Sequence, residues 1–201
     1  MSPIPIQEQE CLLRFARSVI ENHLKAAPQY PEDIAISPAL KEKRGCFVTL
    51  HLNGQLRGCI GTIEPVMPLW TCVQENAVHA AFHDPRFSPV TPEELTDIVI
   101  EISVLSPPRT LVFQNADMLL SLLEPGVHGV ILSRGHRRAT FLPQVWEQLP
   151  RPENFLSHLC LKAGMTASCW KDSDITVEVY EVLYFSEESV REPEGAVVRP
   201  K

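Results

Sequence analysis

The spacing of apolar residues changes from segment to segment along the chain, and the changes mark out helices and strands. Between Gln7 and Ala26, Leu12, Ala16, Val19, Ile20 and Leu24 recur every three or four residues with charges between them. That spacing gathers them on one stripe of an amphipathic helix over residues 7–26 that packs on a core. After a Pro-rich link through Pro28 and Pro31, Ser37 and Pro38 read as the N-cap and first residue of a short helix, with Gly45 as its stop. Cys46 to Asn53 and Gln55 to Gly61 are β-prone runs joined by Asn53-Gly54. A tight hairpin turn needs positive φ at both central positions, which Asn and Gly supply at least cost. Counting outward from such a loop pairs Leu52 with Gln55, Leu50 with Arg57 and Val48 with Cys59. In that register Arg57 and Cys59 share a face.

Pro68 then opens a helix through His83 that turns Leu69, Cys72, Val73, Ala77 and Ala80 inward, and Asp84-Pro85 ends it. Thr91-Pro92-Glu93-Glu94 has the form of a capping box, and the β-branched alternation of Ile98 to Leu105 reads as a strand ending at Pro107-Pro108. The same order recurs: a helix near Asn115 to Leu123, a stop at Pro125-Gly126, a hairpin about Arg134-Gly135, a helix from Glu153 to Ala163 and a strand from Ile175 to Phe185. Laying Gly54 on Gly135 sets Arg57 on Arg138, Cys59 on Thr140 and Ile60 on Phe141, which reads as an internal duplication. A hairpin, helix and strand cannot bury both faces alone. The expected fold is therefore α+β, a single domain over 1–186 made of two similar hairpin-helix-strand halves (about 37–107 and 113–186). It holds mostly antiparallel sheet with flanking helices, and residues 187–201, rich in Glu, Pro and Gly, are expected to form a flexible tail.

Composition narrows the function more than it defines it. A chain of 201 residues with 44% hydrophobic content can bury a substantial core. Its formal charge of −7 argues against an electrostatic footprint for nucleic acid. The basic groups Lys41 to Arg44 and Arg134 to Arg138 flank the hairpins and are expected to be solvated. The opening residues lack the basic and apolar regions of a signal peptide, and no run has the length of a membrane span, so the expected location is cytoplasmic. Six cysteines without a C-x-x-C pair are expected to be free thiols. No G-x-S-x-G, P-loop or G-x-G-x-x-G occurs, and the pattern leaves the cofactor unknown.

Chemistry concentrates on the first hairpin. Gly58 and Gly61 bracket Cys59, and a glycine inside a strand marks a bulge or the close approach of a ligand or another backbone. The Arg57 guanidinium two residues away favours the thiolate, the form that attacks electrophiles or binds soft metals. Against this, free cysteine is also one of the most commonly buried residues, and an inert core thiol explains the same letters.

The hexapeptide Leu56-Arg57-Gly58-Cys59-Ile60-Gly61 resembles the signature of the AMMECR family, whose bacterial members are called AmmeMemoRadiSam system protein A. Asn76-Ala77, Ala80-Ala81-Phe82, Asp84-Pro85-Arg86-Phe87, the run Glu101 to Pro107 and the run Phe141 to Trp146 match it too. The resemblance implies an α+β fold with a larger and a smaller lobe, and a cleft that the hexapeptide faces. It implies no established reaction, and it suggests a Memo-type protein and a radical SAM protein as partners. Within this frame Cys59, Arg57 and Asp84 are the catalytic candidates, with Gly58, Gly61, Arg86, Glu101 and Asn76 as ligand-binding candidates. Asp84 and Arg86 can return beside Cys59 after the helix, or simply end it. Glu101 faces either a cleft or solvent, and Asn76 orients a neighbour or is a satisfied interior amide. His79 and His83, four apart on one helix, have metal-ligand spacing without the H-E-x-x-H order, and no metal site is assigned. Three functions remain: an enzyme or enzyme component using Cys59, a non-catalytic module that binds a protein or ligand, and a nucleic-acid binder if the arginines gather in one groove.

Overall fold

The computed structural model describes residues 4–25 and 37–191. The link through Pro28 and Pro31 lies outside them. In chain order, the first unit begins with α1 (Ile6–His23), α2 (Pro38–Lys41), β1 (Cys46–Leu52), β2 (Gln55–Thr62), α3 (Leu69–Phe82), α4 (Pro92–Leu95) and β3 (Ile98–Leu105). A second unit follows with β4 (Arg109–Thr110), α5 (Ala116–Leu122), β5 (Gly129–Arg134), β6 (Arg137–Phe141), α6 (Pro152–Lys162) and β7 (Thr176–Tyr180). The chain then rejoins the first unit through β8 (Val182–Ser186) and α7 (Glu187–Arg191).

Both sheets repeat one plan. In the larger unit the order is β2-β1-β3-β8 and in the smaller β4-β7-β5-β6, so the first hairpin strand of each lies between its hairpin partner and the strand that follows the helix. The β1–β2, β1–β3, β4–β7, β5–β6 and β5–β7 pairings are antiparallel, giving an α+β architecture in two similar halves. Each unit has its own core. Val48, Leu50, Ile100 and Ile102 of the larger sheet pack with Val19, Leu69, Val73 and Ala77 from α1 and α3. In the smaller, Val130, Leu132, Val177 and Val179 pack with Phe155 and Leu159 of α6. Each such fully buried aliphatic side chain contributes roughly 1.5–3 kcal/mol, which is why period-2 strands and period-3.6 helices were readable from their apolar positions.

Local signals act where they stand in the sequence. Ser37 Oγ accepts from Leu40 N at 3.4 Å, and Thr91 and Glu94 form the reciprocal capping box. Asn53 (φ 53°) and Gly54 (φ 74°) make the left-handed hairpin turn. Beyond that turn the register differs from the one counted. Leu52 faces Gln55 and His51 faces Leu56, but Leu50 faces Gly58, Thr49 faces Cys59 and Val48 faces Ile60. Arg57 is the extra residue of a β-bulge. The cause is steric: a Cβ on Gly58 would lie 2.2 Å from the Ala80 carbonyl oxygen, so the bulge turns the one residue without a side chain toward α3.

Other expectations change for equally local reasons. The second turn is centred on Gly135-His136, since Arg134 faces Arg137. Matching the ladders leaves Thr140 on the position of Cys59, while bulged Arg57 has no counterpart, so the arginine is not repeated. The strand read as Ile175 to Phe185 breaks at Glu181, and its two pieces join different sheets. Glu187 to Arg191 is helical rather than part of a tail, because Glu187 accepts two 2.6 Å bonds from Arg17 and one of 2.9 Å from Ile100 N. Gly45 does not stop α2. It lies where a Cβ would come 2.4 Å from the Ile63 carbonyl oxygen. Arg44 is buried, not solvated, with Glu42 at 2.6 Å. The expectation of free thiols fails at Cys160 and Cys169, which form a disulfide between α6 and the short turn that starts at Cys169. Spacing alone does not show that pairing, because the two cysteines meet only when α6 docks.

Two glycines of the hairpin separate space from backbone conformation. Gly58→Ala should cost about 3 kcal/mol or more in urea unfolding, because backbone must move. Gly54→Ala meets nothing within 4 Å and should cost only about 1 kcal/mol for its positive φ.

Candidate functional site: a clamped cysteine on an edge strand

Strand β2 is the edge of the larger sheet, so alternate backbone groups point away from β1 and need partners. At Cys59 the turn after α3 provides them. Proline cannot continue the helix, and Asp84-Pro85-Arg86-Phe87 folds back along β2. The Asp84 carboxylate accepts the Cys59 N–H at 2.9 Å, and the Arg86 guanidinium donates to the Cys59 carbonyl at 3.1 Å. The same carboxylate accepts from Arg86 N, Nε and Nη2 at 3.1, 2.9 and 2.7 Å. Asp84 is buried. Its bonds to Arg86, reinforced by the Cys59 and Arg86 amides, hold its carboxyl far below the usual carboxylate range despite burial. It is thus a fixed anion that positions a strand, not a proton donor.

Arg57 does not stand over the thiol as counted from the sequence. Bulged outward, its guanidinium holds Glu94 at 2.8 and 2.9 Å and donates to the carbonyls of Ser88 and Pro89 at 2.9 and 3.3 Å. Glu94, already in the Thr91 capping box, is held below the ordinary glutamate range by this bond. The Phe87 ring lies within 6.0 Å of the Arg57 guanidinium and 5.4 Å of that of Arg86. The guanidinium that contacts Cys59 is that of Arg86, through the Cys59 carbonyl.

The thiol itself is half-buried, and the Thr49 hydroxyl donates to its sulfur at 3.3 Å. Since the Cys59 N–H and C=O point to the clamp, Thr49 and Cys59 form the narrow, non-hydrogen-bonded type of pair, whose side chains approach most closely. On β3 the residue opposite Thr49 is Glu101, so Cys59, Thr49 and Glu101 form one row across three strands. His51, two residues along β1, presents to the same face, as does Ser103 of β3. The bulge thus puts His51 on the Cys59 side, where the unbulged register opposes it to Arg57. A diagonal neighbour on a sheet is about 7–8 Å away, within reach of a small bridging molecule.

The remaining candidates fall elsewhere. Gly58 lies under Ala80, and the Phe47 ring covers Gly61, with a Cβ there coming 2.1 Å from it. Both glycines make room for close packing. Asn76 is buried on the opposite face of the sheet, donating to the Cys46 carbonyl at 3.1 Å. The His79 and His83 rings are 5.6 Å apart, and the described residues contain no group of three or more potential metal ligands. No helix among the described residues is long and apolar enough to cross a membrane.

Fold and site define a class: α+β proteins of two units, each a hairpin, helix and returning strand, with a cysteine clamped on the edge strand of the first. Residues 13–185 match the AMMECR1 family, and the chain belongs to it. It is 39% identical to Protein MJ0810 of Methanocaldococcus jannaschii, covering 100% of this chain and 99% of that protein. Identity to Protein MK0488 of Methanopyrus kandleri is 41%, over 96% of this chain and 94% of that one. The crystal structure of the uncharacterized protein PH0010 from Pyrococcus horikoshii superposes with a TM-score of 0.76 at 36% identity, covering 92% and 93% of the two chains.

Removing the clamp exposes its energetics. Asp84→Ala leaves the Cys59 N–H and part of Arg86 without a partner and should lose about 2–3 kcal/mol in urea unfolding at about pH 7. Because the folded pKa of Asp84 is depressed, its contribution is full above the ordinary carboxylate pKa of about 3.9 and is lost as pH falls toward the folded value. The gap between the protein and Asp84→Asn should therefore shrink between about pH 5 and about pH 2.

Proposed function

We propose that this AMMECR1-family protein acts through Cys59 as a nucleophilic thiol, as an enzyme or as one component of an enzyme system. The observation that carries the reading is the clamp: Asp84 and Arg86 fix both backbone groups of a cysteine whose side chain is left half-exposed. Sites held rigid by surrounding hydrogen bonds are those in which geometry serves chemistry, and an inert packing thiol needs no such support. The sulfur faces a hydroxyl donor, the Arg86 guanidinium is bonded to the carbonyl of the same residue, and the same face carries His51 and Glu101, side chains of the kinds that serve as bases. In this reading Cys59 attacks an electrophilic substrate, Thr49 hydrogen-bonds the sulfur, and Asp84 and Arg86 are positioning residues. The AMMECR resemblance supports a Memo-type protein and a radical SAM protein as the associated components.

A second reading, a non-catalytic module that docks a partner or ligand on this face, draws support from one feature. Bonds to Glu94, Ser88 and Pro89 take up four of the N–H groups of Arg57, which leaves it no free donor pair to grip a substrate anion.

Alkylation of the folded protein, followed by mass spectrometry, separates the two. Cys59 should react at least about tenfold faster than half-buried Cys11, and His51→Gln should slow Cys59 while leaving Cys11 unchanged. Equal rates at Cys59 and Cys11 would contradict a nucleophilic role and favour docking. In that case Cys59→Ala should retain full partner binding.

A further inference from the structure

The face of the larger sheet opposite Cys59 holds two more thiols, and their surroundings differ from the apolar core around them. Cys46 begins β1 and Cys72 lies on α3, and both are fully buried. Their sulfurs are 3.1 Å apart, with the Cys46 S–H directed at Cys72. The Asn76 amide, one turn further along α3, donates to Cys72 Sγ at 3.3 Å and Cys46 Sγ at 3.5 Å. It also exchanges 3.4 Å contacts with the Thr62 hydroxyl of β2. Burying an amide and a hydroxyl beside two sulfurs is costly unless they satisfy one another, so the four groups behave as one polar nest.

We propose that Cys46 and Cys72 are a second thiol site, oxidised by a small hydroperoxide to a disulfide, with Cys72 as the attacking sulfur and Cys46 as the resolving one. The order follows from the direction of the hydrogen bonds. Cys72 receives an S–H and the shorter of the two Asn76 N–H contacts, and these donors favour its anion, whereas Cys46 receives only the longer Asn76 contact and supplies a proton to its neighbour. The Cys46 hydrogen bond lowers the Cys72 pKa against the effect of burial, and the same bond together with burial raises that of Cys46. Cys72 sulfur attacks one peroxide oxygen and the O–O bond breaks. The departing alkoxide or hydroxide takes the Cys72 proton and leaves as alcohol or water, and Cys72 becomes a sulfenic acid. Cys46 sulfur then attacks that sulfur, the S–O bond breaks, and the hydroxyl leaves as water with the Cys46 proton. Two thiols and one hydroperoxide give a disulfide, an alcohol or water, and one water. Burial restricts the oxidant to a small molecule, and the adjacency of the sulfurs makes the second step intramolecular. The site is separate from Cys59 and does not depend on its reading.

Hydrogen peroxide is the probe. The folded protein is oxidised, quenched, alkylated under denaturing conditions and digested with trypsin, which places Cys46 in residues 45–57 and Cys72 with Cys59 in residues 58–86. The expected product is a peptide pair joined through Cys46 and Cys72, with fragmentation distinguishing Cys72 from Cys59. In Cys46→Ser, dimedone should capture a sulfenic acid at Cys72, and the wild-type cross-link decides alone if that variant does not fold. A cross-link from Cys46 to Cys59, or full alkylation of Cys46 and Cys72 after Cys59 has been oxidised, overturns the proposal. A dimedone adduct at Cys46 in Cys72→Ser, with none at Cys72 in Cys46→Ser, overturns the order of attack.

Discussion

The Asp84 carboxylate stands 2.9 Å from the amide nitrogen of Cys59, and much of the larger unit's chemistry depends on that bond. An edge strand presents unpaired backbone groups that must be hydrated, covered or bonded. Here two side chains of a helix-ending turn stand in for a neighbouring strand, one accepting the N–H and the other donating to the carbonyl. The arrangement needs α3 to end at the correct height along β2. Proline at 85 ends it, and the absence of a side chain at Gly58 lets Ala80 of α3 approach the strand. The Arg57 bulge follows from the same constraint. The residue displaced outward is long and charged, and its guanidinium ties down the segment from Ser88 to Glu94.

The bulge also explains what was and was not legible in the sequence. Asn53-Gly54, Ser37-Pro38 and Thr91-Glu94 act through neighbours a few residues away, so their effects are written locally and the elements they bound could be read. The bulge answers a contact between Gly58 and Ala80, 22 residues apart, which local propensity does not contain. A one-residue slip changes which side chains share a face. Counting from the turn therefore paired Arg57 with the thiol and hid Thr49 and His51, whose places became visible only with the ladder. The signal that could have found them was Gly58 itself, read as a bulge before the register was counted. Glu101 was ambiguous because alternation fixes which residues share a face but not what covers that face. The split of the last strand at Glu181 and the Cys160–Cys169 disulfide are likewise set by which sheet or turn a segment meets.

One sheet thus carries two thiol environments on its two faces. Cys59 is half-buried beside a hydroxyl and a guanidinium, with its backbone fixed from the strand's open side. Cys46 and Cys72 are sealed between sheet and helix, where they share a polar nest with Asn76 and Thr62. In the smaller unit Thr140 occupies the position of Cys59, and its hydroxyl is spent on the Val130 carbonyl and on Tyr180. Burial pushes the Tyr180 phenol up to about 12, so that pair stays neutral and serves packing. The two halves share a plan of strands, while the clamped cysteine belongs to one of them.

The site depends on the Cys59 backbone being clamped, and amide hydrogen exchange measured residue by residue tests that most directly. An edge-strand N–H open to water exchanges nearly as fast as in an unstructured chain, whereas one bonded to a buried carboxylate opens only when the turn lets go. The Cys59 amide should be protected about as strongly as those of β1 in the native protein, and this protection should collapse in Asp84→Ala while the β1 amides stay slow. A Cys59 amide that exchanges freely in the native protein would contradict it.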